Sequence, residues 1–244
     1  MEPKPKPKPK VFIAMPCYDT MKVETCVSIL NTYAILAKAG IECRFKSVKS
    51  SLVTHARNLL TAGFMASEYD YMLCVDADIE FSPEAPLRML VPQKDIVVTP
   101  YRLKENPLKT KYPVEFPDPH NIKILPFDLV ELKSAPAGLM LINRVVFKTL
   151  MAKYPNKKIK FNKEHQDKMD IEIGSKGATE KYMYNFWDTD FKDHTWKGED
   201  LAFCELVRRA SIKIYANLDS WTTHHGSWGF RGKFGDSLIK KEDK

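Results

Sequence analysis

A continuous apolar run that ends in two aspartates constrains the fold of this chain most strongly. The run Tyr71–Val75 has the character of a strand buried on both faces, as in parallel sheets. Asp76 and Asp78 follow at its carboxyl end, and residues two apart in a strand point to the same side. Open α/β sheets bind their ligands at the carboxyl ends of parallel strands. The sequence therefore predicts an α/β fold with a ligand site at this strand end.

The elements on either side of this strand are typical of a doubly wound, nucleotide-binding sheet. A strand over 11–15, a turn over 16–20, a helix that Gly40 stops and a strand over 41–45 form a β-α-β opening. Further strands are predicted over 95–99, 139–142 and 212–216, with helices after Pro83, near Arg144 and from Gly198. The pattern therefore predicts one α/β domain with an irregular middle.

The helix that precedes the central strand is predicted to be capped by Ser51. One of its faces is apolar, and is formed by Leu52, Ala56, Leu59, Leu60 and Gly63. Arg57 and Asn58 lie outside this stripe. For Arg57 the pattern leaves open a solvent-facing position or a contact to a ligand.

Composition supports a single domain and excludes several classes of function. The chain has 244 residues, 44% of them apolar and 28% charged, which is enough for one core without disulfides or a structural metal. Of the net charge of +7, the first ten residues carry +3, and the remaining +4 is too mild for a nucleic-acid binder. No apolar stretch approaches the roughly 18 to 20 residues of a membrane span. Without a signal peptide or a disulfide pattern, we expect a cytoplasmic protein.

Proline and charge mark the two ends of the chain. Residues 1–10 alternate proline with mostly lysine, which forbids a helix and offers nothing apolar to bury, so we predict a disordered tail. Residues 236–244 close with five charged side chains and are predicted as a second tail. The folded domain is expected over 11–235.

The two aspartates point to a divalent cation. Two carboxylates at one strand end repel each other unless a cation lies near them, and oxygen ligands suit Mg²⁺ or Mn²⁺. Such an ion completes its shell with phosphate, which points to a nucleotide diphosphate. Alternatively, the aspartates only cap the turn that follows the strand.

Several short motifs, in this order, carry a resemblance to a known family. They are residues 14–18 after the first strand, 56–58 in the helix, 76–78 after the central strand, Ala137-Gly138, Glu199-Asp200 and His225-Gly226. Over residues 11–232 the chain resembles the GT-A glycosyltransferases, and more loosely the small soluble transferases of large DNA viruses. The resemblance implies a single Rossmann-like domain with a mixed, mostly parallel central sheet flanked by helices. If the chain is viral, its place would be the host cytoplasm.

The resemblance implies a metal-dependent transfer of a sugar from a nucleotide-diphosphate sugar, with UDP favoured, to a hydroxyl group of a glycan or glycoprotein. It implies Asp76, Asp78 and His225 as metal ligands, with His224 as the alternative to His225. Histidine favours Mn²⁺ over Mg²⁺. Asp200 is implied as the general base of an inverting reaction, with Glu199 as its alternative.

Two further groups of residues are expected around these. The nucleotide would contact Pro16, Cys17, Tyr18, Arg57, Asp76, Ala77 and Asp78. The acceptor sugar would lie near Gly138, Trp187, Asp188 and Trp228, because sugars pack their apolar faces on aromatic rings.

Three other functions compete with this hypothesis. A haloacid-dehalogenase-like phosphatase carries its aspartates on the first strand and has Thr or Val where this chain has Glu80. A sugar-nucleotide pyrophosphorylase would need a glycine-rich basic loop after the first strand, and residues 15–19 contain no glycine. A non-catalytic, carbohydrate-binding relative of the transferases is the third, and turnover of a sugar nucleotide would exclude it.

Overall fold

An eight-stranded mixed sheet forms the centre of the protein in a computed structural model, which describes residues 7–105, 110–192 and 194–238. The strands are β1 (Val11–Cys17), β2 (Cys43–Lys49), β3 (Tyr71–Val75), β4 (Ile79–Phe81), β5 (Ile96–Val98), β6 (Ile124–Leu125), β7 (Leu129–Leu132), β8 (Leu139–Asn143), β9 (Asp190–Lys192), β10 (Thr195–Lys197), β11 (Ile214–Asn217), β12 (Trp221–His225) and β13 (Gly229–Lys233). The helices are α1 (Val23–Lys38), α2 (Val53–Ala66), α3 (Ala85–Leu90), α4 (Arg144–Lys153), α5 (Lys163–Ile173), α6 (Ala178–Tyr182) and α7 (Glu199–Arg209), with short 3-10 turns at Pro155–Lys157 and Phe234–Ser237.

The strand order of the central sheet is β2-β1-β3-β8-β5-β11-β7-β6. Strands β1, β2, β3, β5 and β11 run in one direction, and β8 is inserted antiparallel between β3 and β5. The carboxyl ends of β1, β3 and β5 therefore lie at one edge of the sheet. This arrangement confirms the predicted single α/β domain with a mixed, mostly parallel central sheet flanked by helices.

The sheet separates two apolar layers. Phe12 and Ala14 of β1 pack in the layer that contains α2, whereas Val11, Ile13 and Met15 pack in the layer that contains α1. This alternation is the period of two that a strand imposes on its side chains. Because both faces are covered, the strands of the sheet centre are apolar throughout.

The boundaries of the opening β-α-β unit differ by a few residues from the prediction. Gly40 ends α1 as expected, with a positive φ of 68° that favours glycine. Strand β2 begins at Cys43 rather than at Ile41, whose backbone N–H donates back to the carbonyl of Leu36. Ser51 does not cap α2, because the N-cap position is Leu52 and no side chain caps it.

Helix α2 is buried on more than its apolar stripe. Arg57 and Asn58, predicted to lie outside the stripe, are 4% and 2% exposed. The side-chain Oδ1 of Asn58 accepts hydrogen bonds from the backbone N–H groups of Phe186 and Trp187, both at 3.0 Å. A distant chain segment thus covers the helix face that local periodicity assigns to solvent.

Parts of both predicted tails contact the domain. Lys10, within the predicted 1–10 tail, donates its backbone N–H to Asp70 at 2.8 Å, and its ammonium lies 3.1 Å from Glu42. At the other end, Leu238 packs against the core. Residues 1–6 and 239–244 lie outside the described residues. None of the described helices combines the length and apolar character needed to cross a bilayer.

Candidate functional site

A cavity of about 620 Å³ opens at the carboxyl edge of β1 and β3. Its volume falls within the range of about 300–1,000 Å³ that is usual for ligand sites. The cavity brings together every residue predicted for nucleotide and metal binding and the alternative base, namely Pro16, Cys17, Tyr18, Arg57, Asp76, Ala77, Asp78, His224, His225 and Glu199.

Arg57 joins the two acidic motifs of the site. Its Nη2 donates to Asp76 Oδ1 at 2.7 Å, and its Nε donates to Glu199 Oε1 at 3.3 Å. Burial alone would lower the pKa of Arg57, but the neighbouring carboxylates, Asp76 foremost, raise it above its usual value. Among the described residues, none accepts a hydrogen bond from the buried Nη1 of Arg57.

The two aspartates of the motif have different partners. Residues 77 and 78 form a turn, so the alternation expected of a continuing strand does not govern them. Asp76 is held by Arg57, whereas Asp78 Oδ2 lies 3.6 Å from His224 Nε2 and contacts the ammonium of Lys104. Burial by itself raises the pKa of Asp78, but His224 and Lys104 lower it to about 2. Asp78 is therefore ionised at neutral pH.

The structure favours His224, the alternative, over His225 as the partner of Asp78. Both lie on β12, where successive side chains point to opposite faces. The register with β4 pairs His224 with Ile79 and turns the ring of His224 toward Asp78. His225 Nε2 instead lies 3.1 Å from Glu80 Oε2. The resemblance identified the His-Gly step, but only the register determines which imidazole faces the carboxylate.

A backbone carbonyl fixes the tautomer of His224. Its Nδ1 lies 2.9 Å from the carbonyl oxygen of Arg102, which can only accept, so Nδ1 carries the hydrogen. Nε2, on the other side of the ring, then faces Asp78. A histidine whose other nitrogen donates to a carbonyl is the usual arrangement of a metal ligand.

The donor set fits a divalent cation that keeps open positions. Within the described residues, no three His, Cys, Asp or Glu side chains are grouped closely enough to hold an ion by themselves. Asp78 and His224 supply one carboxylate oxygen and one imidazole nitrogen. Mn²⁺ accepts this combination and fills its remaining positions with water and phosphate.

The acidic pair at the start of α7 contributes one residue to the cavity wall. Glu199 lines the cavity, and Asp200 lies beside it without lining it. Burial raises the pKa of the Asp200 carboxyl, and the charge of Glu199 raises it further. A raised pKa brings a carboxylate closer to the range in which it can accept a proton efficiently.

Tyr101 is a site residue that the sequence reasoning missed. It follows β5 at the same sheet edge, and its ring centroid lies 4.6 Å from that of His224. A Cβ atom on Gly138 would lie 2.5 Å from Tyr101 Cε1 and 2.7 Å from Asp76 Oδ2. Gly138 is buried, so it makes room for these two side chains and offers no surface to an acceptor sugar.

The aromatic residues predicted to bind the acceptor separate into core and surface. Trp187 is fully buried, its ring stacks on Phe203 at 3.9 Å, and its indole N–H donates to Thr61. It therefore belongs to the core, and the prediction that it binds a sugar is corrected. Asp188 accepts a hydrogen bond from Asn185 and lines a separate cavity of about 190 Å³. Trp228 is 71% exposed, and its role in acceptor binding stays a prediction.

The sequence analysis also did not identify two lysines of the cavity wall. Lys22 immediately precedes α1, and Lys104 follows β5 by six residues. Both lie in segments that leave the carboxyl ends of sheet strands, which is the signal that could have identified them. Together with Arg57 they supply three cations to a wall that also carries the carboxylates of Asp76, Asp78 and Glu199.

Comparison with known proteins gives a distant likeness in structure only. No protein-family model and no curated protein sequence matches this chain. The crystal structure of A197 from STIV is 16% identical with a TM-score of 0.48, over 89% of this chain and 86% of that chain. The 4-diphosphocytidyl-2C-methyl-D-erythritol synthase from Anaerococcus prevotii is 11% identical with a TM-score of 0.33, over 83% of this chain and 96% of that chain. At TM-scores below 0.5, neither likeness assigns a function to this chain.

Proposed function

We propose that this protein is a metal-dependent glycosyltransferase, which moves a sugar from a nucleotide-diphosphate sugar to a hydroxyl group of a glycan or glycoprotein. The observation that carries the proposal is the pairing of ionised Asp78 with Nε2 of His224, whose Nδ1 is held by a backbone carbonyl, inside a cavity that lysine and arginine also line. The motifs shared with GT-A enzymes, described above, support the same reaction class.

The cavity wall offers a contact to each part of the donor. Tyr18 is 72% exposed at the carboxyl end of β1, so its ring can stack on a nucleotide base. Pro16 and Cys17 lie beside it, within reach of the ribose. Lys22 at the start of α1 and the guanidinium charge of Arg57 in the cavity wall favour the diphosphate, since a helix N-terminus also attracts anions.

Asp78 and His224 would hold the cation, with Mn²⁺ preferred over Mg²⁺ because of the imidazole. A bound divalent ion supplies charge stabilisation for the departing diphosphate. Arg57 holds the carboxylates of Asp76 and Glu199 in place in the wall of the same cavity. The protein's own contribution is thus to fix these carboxylates before the donor arrives.

Asp200 is the proposed general base. An acceptor hydroxyl must lose its proton as it attacks the anomeric carbon, and the raised pKa of the Asp200 carboxyl suits this transfer. Attack by the hydroxyl itself inverts the anomeric configuration. Glu199 lines the cavity, pairs with Arg57 and is the alternative base.

Titration of UDP into the protein, with Mn²⁺ and after chelation, tests the metal site. We expect Asp78→Ala and His224→Ala to lose the metal-dependent part of the affinity, and the matched neighbour His225→Ala to keep it. Equal UDP affinity after chelation would contradict the metal assignment. If His225→Ala loses the metal-dependent part of the affinity and His224→Ala keeps it, His225 is the metal ligand, as the family resemblance implies.

Turnover identifies the reaction. Donor sugars are screened with Mn²⁺ and glycan acceptors, and release of UDP together with a glycosylated product is expected. Binding without turnover of any donor would favour the non-catalytic, carbohydrate-binding alternative.

A pyrophosphorylase is the second candidate, because Lys22 in the segment after β1 lines the cavity. That position lets a cation neutralise the triphosphate of a nucleotide substrate. Its reaction releases inorganic pyrophosphate from a nucleoside triphosphate and a sugar phosphate. Detection of pyrophosphate under these conditions, without sugar transfer from a nucleotide sugar, would favour this candidate.

A further inference from the structure

The side chain of Lys104 reaches the oxygen that the proposed cation would use. Its ammonium contacts Asp78 Oδ2, and this same oxygen lies 3.6 Å from His224 Nε2. The lysine stem crosses Gly226, where a Cβ atom would lie only 3.0 Å from Lys104 Cδ. Glycine at this position thus leaves a path for the lysine into the cavity.

The backbone beside Lys104 is tied to the same site. The carbonyl of Arg102 accepts the hydrogen bond that fixes the His224 tautomer, and the N–H of Leu103 donates to the carbonyl of Lys111 at 3.0 Å. One segment therefore orients the imidazole and delivers an ammonium to the same carboxylate. The side chain of Lys104 is 34% exposed, so its charged end has room to move away from Asp78.

We propose that Lys104 is an internal cation that competes with the divalent metal for Asp78 and, when the metal holds that oxygen, contacts the donor diphosphate. This inference rests on the proposed function. A divalent ion held by Asp78 and His224 would share the carboxylate of Asp78 with the ammonium of Lys104, and like charges at short range repel each other. The long, flexible lysine stem allows the ammonium to leave the carboxylate without a change of fold.

The competition predicts that the metal and the nucleotide bind cooperatively. With the metal alone, one carboxylate serves two cations, and metal affinity is reduced. When the diphosphate is present, its negative charges accommodate both cations. Metal and nucleotide therefore strengthen each other's binding, and linkage requires the effect to be equal in both directions.

Mn²⁺ binding, followed by electron paramagnetic resonance of the free ion, tests the inference without any activity measurement. Without nucleotide, Lys104→Gln should bind Mn²⁺ about tenfold more tightly than the wild type, because a like charge has been removed from a site that solvent screens only in part. Lys104→Arg, which keeps the charge, should resemble the wild type. Lys49→Gln is the matched control, since this exposed lysine pairs with Asp19 and does not line the cavity.

A second variant and a second ligand extend the test. Gly226→Ala places a methyl group on the path of the lysine stem, so it should also tighten Mn²⁺ binding while the charge remains. At saturating Mn²⁺, Lys104→Gln should bind UDP about tenfold more weakly than the wild type, because one phosphate contact is lost. Thermal melting of each variant checks that it is folded.

The outcomes separate this inference from the proposed function. If the wild type binds Mn²⁺ and Lys104→Gln binds it no more tightly, the competition is wrong and the metal site stands. If UDP affinity at saturating Mn²⁺ is unchanged in Lys104→Gln, the diphosphate contact is wrong. If neither protein binds Mn²⁺, with or without UDP, the metal-dependent function is wrong and this inference fails with it.

Discussion

Gly138→Ala perturbs the site by a single methyl group whose surroundings are known. The added Cβ would lie 2.5 Å from Tyr101 Cε1, 2.7 Å from Asp76 Oδ2 and 3.2 Å from Asp76 Cγ. Asp76 has little freedom to move away, because its Oδ1 is bonded to Arg57 and its backbone N–H donates to the carbonyl of Gly138 at 2.9 Å. The methyl group must therefore displace the carboxylate, the tyrosine ring or both.

The expected loss of stability in Gly138→Ala has two contributions, overpacking of the folded protein and a smaller conformational entropy of the unfolded chain. An extra methyl group in a filled interior costs about 1–3 kcal/mol. Replacing glycine by alanine also restricts the unfolded chain, which offsets about 0.4–1 kcal/mol of that cost. We therefore expect a net loss of up to about 2.6 kcal/mol in the free energy of unfolding, or a melting temperature lower by up to about 10 °C for a domain of this size. Nucleotide binding with Mn²⁺ should weaken about tenfold or more, since Asp76 loses its place beside Arg57.

Urea denaturation and calorimetric titration of UDP with Mn²⁺ measure the two effects. Gly63→Ala is the matched control, because its Cβ would lie 3.4 Å from Ile173 Cβ, an ordinary contact, in the middle of α2. It should be neutral or more stable by up to about 1 kcal/mol through helix propensity, with unchanged UDP affinity. Gly138→Ala with wild-type stability and wild-type affinity would refute the assignment of Gly138 as the residue that makes room for Asp76.

Three further predictions concern the base, the aromatic residues and acid stability. Asp200→Asn should lower kcat by about 10²- to 10⁴-fold with nearly unchanged UDP affinity, and NMR of the product should show inversion; near-normal turnover would remove the residue from this role. Trp187→Ala should lose about 3–5 kcal/mol in urea denaturation. Trp228→Ala should stay within about 0.5 kcal/mol of the wild type while raising KM for the acceptor, and equal losses would contradict the division into core and surface. Burial alone would raise the pKa of the Asp170 carboxyl, but hydrogen bonds from Thr179 and a neighbouring backbone N–H lower it. Its stabilisation is complete above the unfolded pKa of about 3.9 and is lost as the pH falls through the folded pKa. The deficit of Asp170→Asn in urea should therefore be larger at pH 7 than at pH 3.

The fold class and the edge of the site could be predicted because both depend on local pattern. The apolar run Tyr71–Val75 needs burial on both faces, and this requirement already implies a sheet covered by helices. Its carboxyl end then locates Asp76 and Asp78 at the ligand-binding edge. Gly40 likewise marks the end of α1, since only a residue that tolerates positive φ closes a helix in this way.

Contacts between distant segments decided the rest of the site. Arg57 and Asn58 have the spacing of exposed helix residues, and they are buried because residues near 187 and 199 close over α2. The same closure places Trp187 in the core, although the aromatic residues near it in the sequence are typical of a sugar-binding surface.

The choice between two adjacent histidines shows the physical limit of sequence reasoning most clearly. The order His224-His225 carries no information about which ring faces the carboxylate, because a strand alternates its faces and the pairing with β4 sets the phase. The position of Lys104 depends in the same way on the path of an irregular segment across Gly226. Local pattern determined which residues lie at the carboxyl edge of the sheet, and tertiary register determined which of them meet, because only packing between distant segments fixes the direction in which each side chain points.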